Sequence, residues 1–328
     1  MRFALIAIVL AACANPAASP TPPPTPASLG GSTATPSPTS SVSLAWRRIA
    51  NIPTPRSEVA AAVFRGIVYV VGGIGGGDVV EAYAGRNDLW SSAPRYPLKV
   101  DHPMAAGVDA EGSPPGVYVL GGNVNGVATA RSFRLAEQGW REIAAMPAPR
   151  SQAAAVAIGG RIYVVGGAAA GRLVGPTYVY DTATDRWSES AAIPTPRDHL
   201  AAAALGGRVC AVGGRRLSMA QNLKTFECYD PAADRWTAMP DAPTARGGVG
   251  AAAIDQRLFF VGGEQPQGTF REVEIFDGAT GTWSRGPDLP TARHGLGVVS
   301  VGVTLYVMSG GPTPGGSQTP VCEAVDVR

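Results

Sequence analysis

Six tryptophans stand at positions 46, 90, 140, 187, 236 and 283, at intervals of 44, 50, 47, 49 and 47 residues. A period held over most of the chain requires a unit that is copied and stacked, because each short unit leaves an apolar face that only its neighbours can cover. Other markers keep the same register. After every tryptophan except the second, an arginine follows ten residues later: Arg56, Arg150, Arg197, Arg246 and Arg293. Sixteen residues beyond those arginines come Gly72-Gly73, Gly166-Gly167, Gly213-Gly214 and Gly262-Gly263, with Ser309-Gly310 in the last copy. A ring or its substitute precedes each pair by three residues: Tyr69, Tyr118, Tyr163, Cys210, Phe259 and Tyr306.

One copy can be read in full. Residues 152–157 form a small-residue run, Arg161 to Val165 a β-branched run, Thr177 to Tyr180 another, and Arg186-Trp187-Ser188 the start of a fourth. Gly159-Gly160 suits a tight hairpin, and Asp181 suits a turn in which the side chain accepts from its own backbone. Four short strands make one sheet, which cannot hide both its faces. Sheets stacked face to face around an axis can. The small residues that fill the first strand of every copy, such as 201–204 and 249–253, belong where the sheets converge and space is least.

An aromatic residue before Gly-Gly, then Tyr-Asp six residues ahead of Trp (Tyr180-Asp181 to Trp187, Tyr229-Asp230 to Trp236), resembles the kelch repeat, over residues 42–328. The resemblance implies an all-β, six-bladed β-propeller of four-stranded antiparallel blades. Asp326 takes the place of Asp181 and Asp230, but the sequence ends at Arg328, before a fourth strand. Residues 42–48 carry the fourth-strand pattern, so this N-terminal segment is expected to complete the last blade and remove an open edge. The tryptophans are expected to pack between blades.

The first 41 residues read differently. Met1-Arg2, an apolar run from Phe3 to Leu10 and then Ala11-Ala12-Cys13 have the pattern of a secretion signal, so residues 1–12 are expected to be a signal peptide. The run is too short for a membrane span, which needs about 20 residues. Leu10-Ala11-Ala12-Cys13 resembles the bacterial lipobox, which implies lipidation of Cys13 and an extracytoplasmic chain bound to a bacterial membrane only through that anchor. Residues 14–41 are Pro-, Ser-, Thr- and Ala-rich and cannot bury a core, so 13–41 is expected to act as a tether.

The net charge of +2 is scattered, and nothing in its pattern suits nucleic acid. Strand parity puts the starts of the first strands on one face with the variable loops between second and third strands, where binding usually resides. The candidate ligand contacts are Arg56, Glu58, His102, Arg150, Gln152, Arg197, Asp198, His199, Arg246, Arg293 and His294, with Asp101 beside them. A recurring arginine also fits a donor that holds the blades together, and both readings stand. A carboxylate and imidazoles near arginines suit an anionic or sugar ligand.

His199 follows its arginine by two residues and His294 follows by one, which on a strand turns them to opposite sides, so no metal site is expected. No cofactor is expected either. Cys210 and Cys228 lie on adjacent strands and either form a disulfide or pack as buried thiols, while Cys322 is left over. The function expected is a non-catalytic module that binds a protein or a glycan. The alternative is a sugar-active enzyme such as a sialic-acid mutarotase-like epimerase, which the resemblance to kelch propellers also allows.

Overall fold

The structure, a computed structural model, describes residues 45–327; Cys13, the signal peptide and the tether lie outside them. Six four-stranded antiparallel sheets follow one another along the chain. Blade one comprises Ala60–Phe64, Ile67–Val71, Val80–Ala84 and Leu89–Ser92, and the next four blades repeat this order. The innermost strands, Ala60–Phe64, Met104–Val108, Ala154–Ile158, Ala201–Leu205, Gly250–Ile254 and Gly297–Val301, each pack on the next, and the last packs on the first. This is a six-bladed β-propeller.

Convergence at the axis explains the small residues there. A Cβ placed on Gly107 would fall 1.8 Å from the Val63 carbonyl oxygen of the preceding blade. Larger rings occupy the outer strands, where blades diverge. All six tryptophans do the same work: the indole N–H donates to a carbonyl of the preceding blade, four residues beyond that blade's own tryptophan. Trp90 reaches Ala50, Trp140 reaches Pro94, Trp187 reaches Ala144, Trp236 reaches Ala191 and Trp283 reaches Pro240, at 2.7 to 3.0 Å. Trp46 donates to Pro287 at 2.9 Å and packs against the apolar cluster between blades five and six that includes Leu305 and Val325.

Blade six takes three strands from the end of the chain and one from its start. Arg47–Ile49 runs antiparallel to Cys322–Asp326, with Arg47 opposite Ala324 and Ile49 opposite Cys322. The strand begins later than the sequence pattern suggests, and residues 42–44 lie outside the described region. Ser309, which stands where other blades have the first glycine, takes φ 57° and places its hydroxyl 2.5 Å from the Arg56 carbonyl oxygen.

Cys210 and Cys228 face each other across the second and third strands of blade four and are joined in a disulfide. Cys322 is free and buried, and burial pushes its thiol up to about 11. No helix among the described residues is long and apolar enough to cross a membrane.

Candidate functional site at the propeller axis

The second residue after each arginine position supplies one member of a ring: Glu58, His102, Gln152, His199, Gly248 and Gly295. All six have positive φ, between 50° and 65°. Their backbones form a belt around the axis, in which each amide donates to the carbonyl of the preceding blade. His102 N donates to Glu58 O at 3.0 Å, Gln152 to His102 at 3.4 Å, His199 to Gln152 at 2.8 Å, Gly248 to His199 at 3.0 Å and Gly295 to Gly248 at 2.8 Å. Val59 N, 3.4 Å from Gly295 O, completes the circuit. The left-handed backbone is cheap for the two glycines and costs about 1–3 kcal/mol at a non-glycine. Four blades nevertheless place a polar side chain there.

Above the belt lies an open bowl of about 960 Å³, and below it the axis narrows to about 70 Å³. The bowl walls come from the loops between second and third strands, three of which form short ribbons: Asn123–Val124 with Val127–Ala128, Ala168–Ala169 with Arg172–Leu173, and Glu264–Gln265 with Gly268–Thr269. A short 3-10 turn, Met219–Gln221, stands in blade four. These loops are fastened to the belt one residue earlier, through bridges such as Asp101 with Asn123, Asp198 with Arg215 and His294 with Gly311.

Glu58 is the hub. Its Oε2 lies 3.3 Å from His102 Nε2, and its Oε1 lies 3.1 Å from His294 Nδ1. His102 Nδ1 is 2.6 Å from Asp101, and His199 Nδ1 is 2.5 Å from Asp198. The His102 and His199 rings meet edge to face at 5.1 Å between centroids. Burial pushes the Glu58 carboxyl up, but His102, His294 and His199 together outweigh it and hold Glu58 far below the usual carboxylate range. Burial also opposes charging of the imidazoles; Glu58 and Asp101 reverse this at His102, and Glu58 reverses it at His294, so both are raised. At His199 burial prevails and the ring is held below its ordinary value.

The histidines are therefore not separated as strand geometry predicts. His199 sits in a left-handed bend, not in a strand, and the alternation of sides does not apply there. Two groups of potential ligands share Glu58: Glu58, His102 and His199, and Glu58, Glu264 and His294.

Of the sequence candidates, Glu58, His102, Gln152, Asp198 and His199 line the bowl. His294 is fully buried beside Glu58. The five arginines do not reach the bowl, which corrects their placement among ligand contacts: all are 0% exposed and are consumed inside the blades. Arg197 donates to the carbonyls of Gly213, Thr195 and Ala211 and pairs with Glu227 at 2.5 Å. Arg56, Arg246 and Arg293 pair with Glu81, Glu274 and Glu323 at the same third-strand position. Arg150 lies instead over the Tyr178 ring, at 3.9 Å, and blade two fills the two positions with Val100 and Phe133, packed in one apolar cluster. Where the arginine is missing, so is its carboxylate. Burial lowers Arg56, Arg150 and Arg246 to about 10, which leaves them cationic near neutral pH.

Two bowl residues absent from the sequence candidates are Arg215 and Glu264, whose side chains pair at 2.8 Å. Both directly follow a glycine pair. Aligning the copies at that position gives Ile74, Asn123, Ala168, Arg215, Glu264 and Gly311, a variable set beside a turn that changes only once, at Ser309, and that variability is the signal that marks them.

Fold and site together define a six-bladed β-propeller with an open axial bowl, and kelch repeats fit its sequence. Residues 104–241 match the family described as KLHDC2/KLHL20/DRC7 Kelch-repeats domain, and residues 245–290 match the Kelch motif. The chain is similar to Kelch-like protein 35 of Mus musculus, at 29% identity over 126 residues, 37% of this chain and 21% of that protein. It is also similar to Kelch repeat and BTB domain-containing protein 1 of Camelpox virus (strain CMS), at 26% identity over 150 residues, 43% of this chain and 25% of that protein. The matches thus span a quarter or less of those relatives. Among solved structures, "Structure of YjhT" superposes with a TM-score of 0.71 at 16% identity, covering 85% of this chain and 95% of the other, a likeness of fold.

Proposed function

We propose that this chain is an extracytoplasmic, non-catalytic binding module, lipid-anchored at Cys13, whose bowl takes a polar projection of a protein or glycan onto the axial ring. The observation that carries this reading is the ring itself. Two of six equivalent positions use glycine, while Glu58, His102, Gln152 and His199 keep polar side chains in a backbone conformation that penalises them. Strain kept in four blades and avoided in two supports a role beyond folding.

A second reading, a mutarotase-like sugar epimerase, is favoured by one contact. Glu58 Oε2 and His102 Nε2, at 3.3 Å, form an acid–base pair on the bowl floor, with Arg215 on its wall for an anionic group. A glycan array run beside an NMR anomerisation assay separates the two. Binding without turnover, lost in Glu58→Gln and His199→Ala, is expected of the module, whereas turnover lost in the same variants would establish the enzyme. Undiminished binding by both variants with no turnover would rule out the axial ring as the site.

The Leu-Ala-Ala-Cys tetrad supports the anchor. Cells expressing the full chain in radiolabelled palmitate are expected to label the wild type and not Cys13→Ala; equal labelling of the two would refute lipidation at this residue.

A further inference from the structure

We propose that Glu58, His102 and His199 form a binding site for one divalent cation of zinc type on the propeller axis, open to the bowl. The proposal is independent of which macromolecule or sugar fills the bowl above it.

Three observations support the site. First, the three residues bring one donor atom each to within 4.8 Å of one another, and their side chains are only 10%, 13% and 7% exposed. A tetrahedral zinc ion with bonds of about 2.0–2.1 Å holds its ligand atoms about 3.3 Å apart. Glu58 Oε2 and His102 Nε2 already stand at 3.3 Å.

Second, every candidate ligand is held from behind by a separate partner. His102 Nδ1 is hydrogen-bonded to Asp101 and His199 Nδ1 to Asp198, each the residue immediately before it. With the proton on Nδ1 facing the carboxylate, the Nε2 lone pair of each ring is free for a metal, the arrangement by which carboxylates orient metal-bound histidines. Asp101 is fixed in turn by Asn123, and Asp198 by the amide of Leu217. The other Glu58 oxygen is occupied by His294, whose Nε2 lies 3.1 Å from the Thr313 carbonyl oxygen. His199, which lines the bowl, has no hydrogen bond at Nε2 among the described residues.

Third, the cluster is rich in negative charge. Glu58, Asp101, Asp198 and Glu264 are carboxylates, set against Arg215 and a His294 that donates from both nitrogens. Without a metal ion a proton on His102 offsets part of the excess; with His102 and His199 neutral, as metal ligands must be, two negative charges remain for the ion to offset. One divalent ion removes the excess. Two histidines and one carboxylate, with a fourth position facing an open bowl, is a donor set that zinc accepts while keeping a place for water or an incoming oxygen ligand.

The test uses the full chain stripped with a chelator and titrated with ZnCl2 by calorimetry, with CoCl2 as a spectroscopic probe. One equivalent of zinc is expected to bind, and cobalt is expected to give the intense visible bands of a four-coordinate ion. His102→Ala and His199→Ala should each weaken zinc by more than about 100-fold, and Asp198→Asn, which preserves shape, by about 10–100-fold. Glu58→Gln, equally conservative in shape, should abolish the four-coordinate cobalt spectrum. The absence of saturable zinc binding by the wild type would overturn the proposal. So would stoichiometric binding that persists in Glu58→Gln with an unchanged cobalt spectrum, since the ion would then lie elsewhere on the surface.

Discussion

Replacing Arg197 by methionine is expected to lower the unfolding free energy by about 3–5 kcal/mol, read as a shift in the urea midpoint. The side chain is 0% exposed, and its guanidinium serves three backbone carbonyls as well as Glu227, which is itself buried. Truncation leaves a carboxylate without its cation in a place that water does not reach, and this outweighs the gain from easier burial of methionine. Blade two supplies the control. It places Val100 and Phe133 where blade four has Arg197 and Glu227, so the double variant Arg197→Val, Glu227→Phe is expected to recover a large part of the loss. Burying two apolar side chains in place of an ion pair is often close to neutral. A single-variant loss under about 1 kcal/mol, the range of exposed pairs, would show that the arginine is not part of the scaffold.

Deleting residues 42–50 is expected to have a comparable or larger effect. The deletion removes the strand Arg47–Ile49, the buried Ile49 and the Trp46 bond to Pro287, and it leaves Cys322–Asp326 as an open edge. Loss of the partly buried Trp46 and the buried Ile49 together amounts to roughly 3–5 kcal/mol. The exposed edge adds a tendency to self-associate, because unpaired strand groups are a template for another chain. Thermal unfolding and light scattering read the two effects. An unchanged midpoint with no association would mean that the segment contributes nothing to closing the ring.

The architecture was legible because its markers are local and repeated. Trp, Gly-Gly and the ring before the glycines recur within each copy, and four-stranded sheets and small-residue inner strands follow from them. The arginine rows were equally visible, but their direction was not. That depended on the third-strand position, where Glu81, Glu227, Glu274 and Glu323 take the charge and Phe133 appears when the arginine does not. The axial cluster was half legible. Glu58, His102 and His199 were recognisable as departures from the repeat, yet their convergence depends on a left-handed bend that strand periodicity cannot express. Arg215 and Glu264 escaped notice because a residue beside a glycine pair reads as loop until the copies are aligned on that pair. The disulfide was one of two readings, and only the pairing register of Cys210 with Cys228 decides it.

The axial ring carries the functional reading, and the convergence of Glu58 with the three histidines around it has a direct measurement. The chain contains only three histidines, so a proton–nitrogen NMR titration of chelator-treated protein reports on every imidazole in it. Histidine in the open titrates near 6.5. The axial cluster requires two rings, His102 and His294, to titrate above that value because of Glu58 and its neighbours, and one, His199, to titrate below it because burial outweighs Asp198. In Glu58→Gln the two raised values should fall. Three histidines titrating together near 6.5, unaltered by Glu58→Gln, would contradict the cluster and the site built on it.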